Sequence, residues 1–184
     1  MARPTTTPEH TIGLRDAKPE DFAAIADIYA HHVLHGLASF EEEPPDAAEM
    51  KRRWQALTGD DHPFFVAECA GRIVGYAYAG PYRLRPAYRY TVENSVYIRP
   101  GEERQGVGKA LLEALIEACE ARGLRQMIAV IGDSDHDASI GLHEALGFRL
   151  VGTLDAVGFK HGRWVDSVLM QRALGAGGDT LPEA

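Results

Sequence analysis

From Val92 the chain alternates, with Val92, Asn94, Val96 and Ile98 on one parity and Glu93, Ser95, Tyr97 and Arg99 on the other. Successive strand side chains point to opposite faces, so this run reads as a strand with one apolar side. Pro100-Gly101 stops it, and a charged, glycine-spaced turn follows over residues 102–108. From Lys109 the apolar positions change period: Leu111, Leu112, Leu115, Ile116 and Cys119 recur at helical spacing until Gly123 ends the helix. The same two periods organise the rest. Upstream they predict a short strand over residues 11–15 and a helix from Pro19 whose apolar face is Phe22, Ile25, Ile28, Tyr29 and Val33. Gly36 ends that helix, and residues 38–40 read as a short extended piece. Asp46 caps a second helix, with Glu49 three residues on. Residues 64–70 and 72–79 form a hairpin through Ala70-Gly71, and 82–90 an irregular linker. Downstream come a strand over 125–131, a helix over 137–146 closed by Gly147, and strands over 148–154 and 163–171.

Strand, helix, helix, three strands, helix, strand, helix and two strands make a mixed α/β pattern around one sheet flanked by helices. The expected organisation is a disordered leader over residues 1–10, one domain over 11–174 and a flexible tail over 175–184. Composition fits that picture: of 184 residues, 45% are hydrophobic and 25% charged, the balance of a globular domain. A formal charge of −8 argues against a general nucleic-acid binder. No span approaches membrane length and the N-terminus lacks an apolar signal core, so a cytoplasmic protein without membrane partners is expected. Cys69 and Cys119 sit in apolar runs and read as buried thiols.

The central turn is where chemistry is expected. A strand that feeds a glycine-rich turn opening a helix offers unpaired amides, a favourable dipole and close backbone approach to a phosphate. Gly106-Val107-Gly108 has Leu111 where the dinucleotide fingerprint needs its third glycine. Ala110 follows Lys109 where a Walker A loop has Ser or Thr, so both nucleotide readings fail. Metal sites fail as well. His31 and His35 share a helix face with no ligand-spaced carboxylate or cysteine, His32 lying between them. Asp133, Asp135, Asp137 and Glu144 mimic a calcium loop whose required glycine is Ala138.

The turn Glu103-Arg104-Gln105-Gly106-Val107-Gly108 resembles the pyrophosphate loop of the GCN5-related N-acetyltransferases, Gln or Arg followed by x-x-Gly-x-Gly or Ala, with Glu103 departing from the first position. The element order matches that fold over nearly the whole chain. Three further stretches resemble the phosphinothricin and methionine sulfoximine N-acetyltransferases within it: TVENSVYI around Glu93, LHEALGF around His143, and Val157 to Gln171 with Gly-x-Lys-x-Gly-x-Trp-x-Asp. The resemblance implies acetyl-CoA as co-substrate, no metal, a small amine or amino-acid acceptor and a homodimer. It places backbone groups of Val96, Tyr97 and Ile98 against the pantetheine, with an amide near Tyr97 or Ile98 facing the oxyanion. Arg104, Gln105, Gly106, Val107, Gly108 and Lys109 surround the pyrophosphate. His136, standing where the family's D-N-x-x-S segment has Asn, and Ser139 complete the cofactor site. Glu93 is the expected base, because burial in an otherwise apolar strand raises proton affinity. His143 is the expected acid, with Tyr97 in reserve.

For the acceptor, Arg83, Leu84 and Arg85 match one substrate segment of the relatives and Glu93, Asn94 and Ser95 the other. Arginine forks in the 82–90 linker suit a carboxylate or phosphinate. Phe40 is a candidate pocket wall, and Lys160, His161, Trp164 and Asp166 are candidates for shaping the pocket or a dimer contact. Two rival readings are acetylation of a protein N-terminus or lysine, which favours a long open groove, and a silent acyl-CoA-binding module. The arginines argue against the first, and Glu93 with His143 against the second.

Overall fold

A computed structural model describes residues 11–182; the leader expected over residues 1–10 lies outside the described residues. The elements are β1 (Gly13–Asp16), α1 (Phe22–His35, entered through a 3-10 turn at Pro19–Asp21), α2 (Ala47–Gly59), β2 (Phe64–Cys69), β3 (Arg72–Pro81), β4 (Thr91–Ile98), α3 (Val107–Ala121), β5 (Gln126–Gly132), α4 (Asp137–Ala145), β6 (Arg149–Lys160) and β7 (Arg163–Ala173). They build one seven-stranded sheet in the order β1-β2-β3-β4-β5-β7-β6. All neighbours are antiparallel except β4 and β5, which run parallel.

Local chemistry explains most boundaries. Asp46 Oδ1 accepts the Glu49 amide at 2.8 Å, so α2 starts where the cap requires. The β2–β3 turn has φ of 50° at Ala70 and 74° at Gly71, the pair of positive angles that a two-residue hairpin needs. Val92 packs with Leu111, Leu112 and Leu115 of α3, while Tyr97 packs with Ile25, Ile28 and Val33 of α1. Strand β4 is therefore covered on both faces, which is why its second parity carries tyrosine as well as Glu93 and Ser95.

The structure departs from the sequence expectations in four places. Residues 38–40 form no strand; the Ser39 hydroxyl and carbonyl bond to the side chains of Tyr29 and Lys160 instead of a neighbouring strand. Helix α3 opens at Val107, two residues before Lys109, because Gly106 at φ 84° turns the chain into it. Strand β6 continues past residue 154 to Lys160, its two register shifts against β7 absorbing the polar break. The segment expected to be a loose tail turns back through Gly177 N→Leu174 O at 2.9 Å, and Arg125 donates to Thr180 Oγ1 and Leu181 O, both at 3.1 Å.

Candidate active site

Strands β4 and β5 pair only from Thr91↔Gln126 to Asn94↔Ala129, and beyond that they part. On its other side β4 stays paired with β3 to Ile98. Arg99 N→Val74 O at 2.8 Å and Tyr82 N→Thr91 O at 3.2 Å fix which residues bond to β3. In an antiparallel ladder these alternate, so Glu93, Ser95 and Tyr97 give their peptide groups to β3. Those of Val96 and Ile98 face the gap left by β5. The peptide groups of Tyr97, expected at the pantetheine together with those of Val96 and Ile98, lie on the β3 side of the ladder. His32 Nε2 donates to Ile98 O at 2.8 Å and so ties α1 to the free edge.

At the end of the gap lies the glycine turn. Positive φ recurs at Gly101 (87°), Arg104 (61°) and Gly106 (84°), winding the backbone into a concave bend. The first intrahelical bond of α3 is Ala110 N→Gly106 O at 3.0 Å, so the amides of Val107, Gly108 and Lys109 precede the ladder and point out of the helix start. A side chain at Gly108 would come within 3.3 Å of Leu142, so the small residue there lets α3 seat close to α4. Glu103, exposed, accepts from the Gly101 amide through its Oε2 at 2.8 Å and braces the bend itself. Gln105 Nε2 donates to Glu102 Oε2 at 3.2 Å. Arg104 and Lys109 are exposed beside the turn. Arg122 and Arg125, close to it in sequence, bond to Asp61 O and the C-terminal segment instead.

Glu93 lies half-buried on the face of β4 that looks toward α1. Burial pushes its carboxyl above the ordinary 4.5, and the positive charge of Arg83 partly offsets that. Beside it Tyr78 hydrogen-bonds Ser95, and burial raises the Tyr78 hydroxyl. Tyr78 and Tyr29 line a cavity of about 310 Å³ between α1, α2 and the sheet, with Arg53, Leu57 and Met50. Tyr97 packs edge-on against Tyr29 at 5.0 Å, its hydroxyl held well above its usual value by burial. Of the expected acceptor residues, Arg83 stacks over Tyr82 at 5.1 Å, whereas Leu84 is 93% exposed.

Asn94 and His143 come together, and not as expected. Asn94 is buried on the opposite face from Glu93, its Nδ2 directed at Ile128 O at 3.4 Å and its Oδ1 3.1 Å from His143 Nε2. His143 Nδ1 lies 2.8 Å from Ser139 O, and Phe148 packs edge-on at 4.9 Å. The Ser139 carbonyl accepts a hydrogen bond from Nδ1, Nε2 lies against the side-chain amide of Asn94, and burial lowers the imidazole's proton affinity. Asn94, an expected acceptor contact, lies between β4, β5 and α4 on the face away from Glu93, and His143, the expected acid, is buried beside it. His136 caps α4, its Nδ1 accepting from the Ser139 amide at 3.2 Å. An accepting Nδ1 puts the proton of a neutral ring on Nε2, so His136 keeps one N–H to offer.

Asp166 accepts from Ser134 Oγ at 2.7 Å and from the Ala156 amide at 2.9 Å, securing the β6 irregularity. Asp133 pairs with Arg163 at 2.6 Å. Among the described residues no group of three or more His, Cys, Asp or Glu could hold a metal, and no helix is long and apolar enough to cross a membrane. Burial pushes the Cys119 thiol up to about 12, too high for a nucleophile at neutral pH. Sequence reasoning missed Tyr29 and Tyr78 as site residues; the alternation Tyr76, Tyr78 in β3 was the available signal. Ser39, Glu41 and Arg53 left none.

Residues 14–169 match the family model of the acetyltransferase (GNAT) domain. The chain is 54% identical to a phosphinothricin N-acetyltransferase of Alcaligenes faecalis over 92% of its own length and 86% of the relative's. It is 41% identical to an L-methionine sulfoximine/L-methionine sulfone acetyltransferase of Pseudomonas aeruginosa, over 86% of this chain and 92% of that one. A crystal structure of a GNAT superfamily phosphinothricin acetyltransferase from Sinorhizobium meliloti, in complex with acetyl-CoA, superposes with a TM-score of 0.91 at 50% identity, covering 94% of each chain. With the parted β4–β5 pair, the phosphate turn and these likenesses together, the chain belongs to the GNAT family of N-acetyltransferases.

Proposed function

We propose that this enzyme transfers acetyl from acetyl-CoA to the amino group of a small amino-acid-like acceptor such as phosphinothricin or methionine sulfoximine. One juxtaposition carries the reading: the peptide groups of Val96 and Ile98 line a gap between a phosphate-binding turn and a half-buried carboxyl, Glu93. In this reading the turn from Arg104 to Lys109 cradles the pyrophosphate. Val96 and Ile98 pair with the amide-bearing pantetheine arm as they would with a strand. His136 offers its Nε2 proton to the same arm, in place of the family's asparagine, with Ser139 beside it. Arg83 and Arg85 take the acceptor's anionic groups, and Ser95 shapes the site beside Glu93.

The acceptor ammonium gives a proton to Glu93, directly or through water, and the free amine attacks the thioester carbonyl. A gap-facing amide of β4 receives the oxyanion. Collapse breaks the carbon–sulfur bond, and the proton still on nitrogen goes to the departing sulfur. His143 acts by holding Asn94 and thereby the strand, not by touching the thioester. Acetylation of phosphinothricin would mask its amine, the chemistry of herbicide resistance. In this reading the reaction runs in the cytoplasm and the enzyme is a homodimer.

The deciding experiment measures thiol release from acetyl-CoA against phosphinothricin, methionine sulfoximine, methionine sulfone, plain amino acids and polyamines. Rapid release with the first three is expected. Release with another amine alone would replace the acceptor and keep the chemistry; none at all, with acetyl-CoA bound, would leave a silent binding module.

A further inference from the structure

A buried ammonium whose hydrogen bond goes to a backbone carbonyl, with Glu42 and Glu41 as its acidic neighbours, stands at the end of β6. Lys160 is 2% exposed, and its Nζ donates to the backbone carbonyl of Ser39 at 2.6 Å, a contact 121 residues apart in the chain. Burying an ammonium costs free energy that one carbonyl only partly returns. An apolar side chain would fill the position without that cost, so the N–H itself needs a reason. The contact is rigidly mounted: His161 (φ 51°) and Gly162 (φ 75°) close a tight hairpin between Lys160 and Arg163, its paired residue on β7.

Ser39 belongs to the irregular loop between α1 and α2, and its hydroxyl and carbonyl are both employed. Its Oγ lies 2.8 Å from the Tyr29 hydroxyl and accepts from the Glu41 amide at 3.1 Å, while Glu41 pairs with Arg53 at 2.7 Å. On the far side the Phe40 ring lies flush on Gly158, where an added Cβ would come within 2.5 Å of it. A side chain at Gly132 would collide with the Leu37 carbonyl. The loop therefore reaches from Tyr29, which packs on Tyr97 of β4, to the last residue of β5. It spans the two strands where they have parted, on the α1 face that Glu93 shares. The phosphate turn opens α3 on the opposite face.

We propose that Lys160 is a positioning residue for the acceptor half of the site: by holding the Ser39 carbonyl it fixes the α1–α2 loop across the open end of the β4–β5 gap. It touches neither substrate. The inference rests on the acetyl-transfer reading above, with the acceptor entering on the Glu93 face.

The test is steady-state kinetics of Lys160→Met with phosphinothricin and methionine sulfoximine, beside thermal melting. Losing one buried hydrogen bond to a charged group predicts an acceptor KM raised about tenfold, with acetyl-CoA KM within about twofold of the native enzyme. Lys160→Gln, which keeps an N–H donor, recovers part of the loss. Gly158→Ala displaces Phe40 without touching Lys160 and gives the same split; it stands as the test should Lys160→Met fail to fold. An unmoved acceptor KM in a folded variant, or equal loss on both substrates, overturns the inference while leaving the native activity in place. Absence of acetyl transfer by the native enzyme with every acceptor overturns the reading beneath it.

Discussion

Glu93 shows how a single residue's environment translates into measurable behaviour. Its carboxyl holds its proton above the ordinary 4.5 because it is half-buried, with Arg83 pulling the other way. As a base it works deprotonated, so kcat/KM is expected to rise with pH through a value above 4.5. Glu93→Gln should bind acetyl-CoA normally, lose about 10²–10⁴-fold in turnover and lose that limb of the pH profile. Unchanged turnover in the variant would remove Glu93 as the base. The stability consequence has the opposite sense. A carboxyl that holds its proton more tightly folded than unfolded favours the fold below 4.5, and this is lost as pH rises through the raised value. Melting curves should therefore show Glu93→Gln gaining on the native enzyme as pH climbs. The candidacy of Glu93 was legible in sequence because a carboxylate in an apolar strand is conspicuous. The setting of Asn94 was not: one place along, it faces the other side of the sheet and meets His143 at 3.1 Å.

Among the elements, the turn into α3 carries the most testable geometry. Gly106 has φ 84°, and a Cβ there meets nothing within 4 Å, so Gly106→Ala probes backbone conformation alone. A left-handed angle costs an alanine about 1–2 kcal/mol, so acetyl-CoA should bind roughly tenfold more weakly while the acceptor KM stays put. Calorimetric titration with acetyl-CoA checks this, and native affinity would show that the turn does not depend on that angle. The glycines gave the turn away in sequence, since their spacing before a helical period has few other uses. The start of α3 was placed late because Val107 is helical yet belongs to the phosphate motif. Strand β6 was cut short at residue 154 because Asp155-Ala156 reads as a turn. Asp166, a residue of β7, accepts the Ala156 amide and lets the strand run on.

At the scale of the whole molecule, β6 is the sheet edge and its surface is unusually apolar. Leu150, Val151, Leu154, Val157 and Phe159 are all exposed, with Trp164 at 66% beside Phe159. A long apolar edge strand is an association surface unless it is covered. Light scattering should give a particle near twice the 20.1 kDa chain mass, and Leu150→Lys with Leu154→Lys should return it to one. A native monomer would refute the dimer. The sequence by itself determined most of the strands and helices, the glycine turn and a candidate base, because each is written within one element as a periodicity, a glycine spacing or a misplaced charge. Only the tertiary structure decided what those elements face. The register of β3 on β4 turned Val96 and Ile98 toward the gap and Tyr97 away from it. The parting of β4 from β5 created the gap, and a lysine late in the chain came to rest on a serine carbonyl in the α1–α2 loop. Contacts of that range arise from packing and pairing between elements, and no local pattern along the chain encodes them.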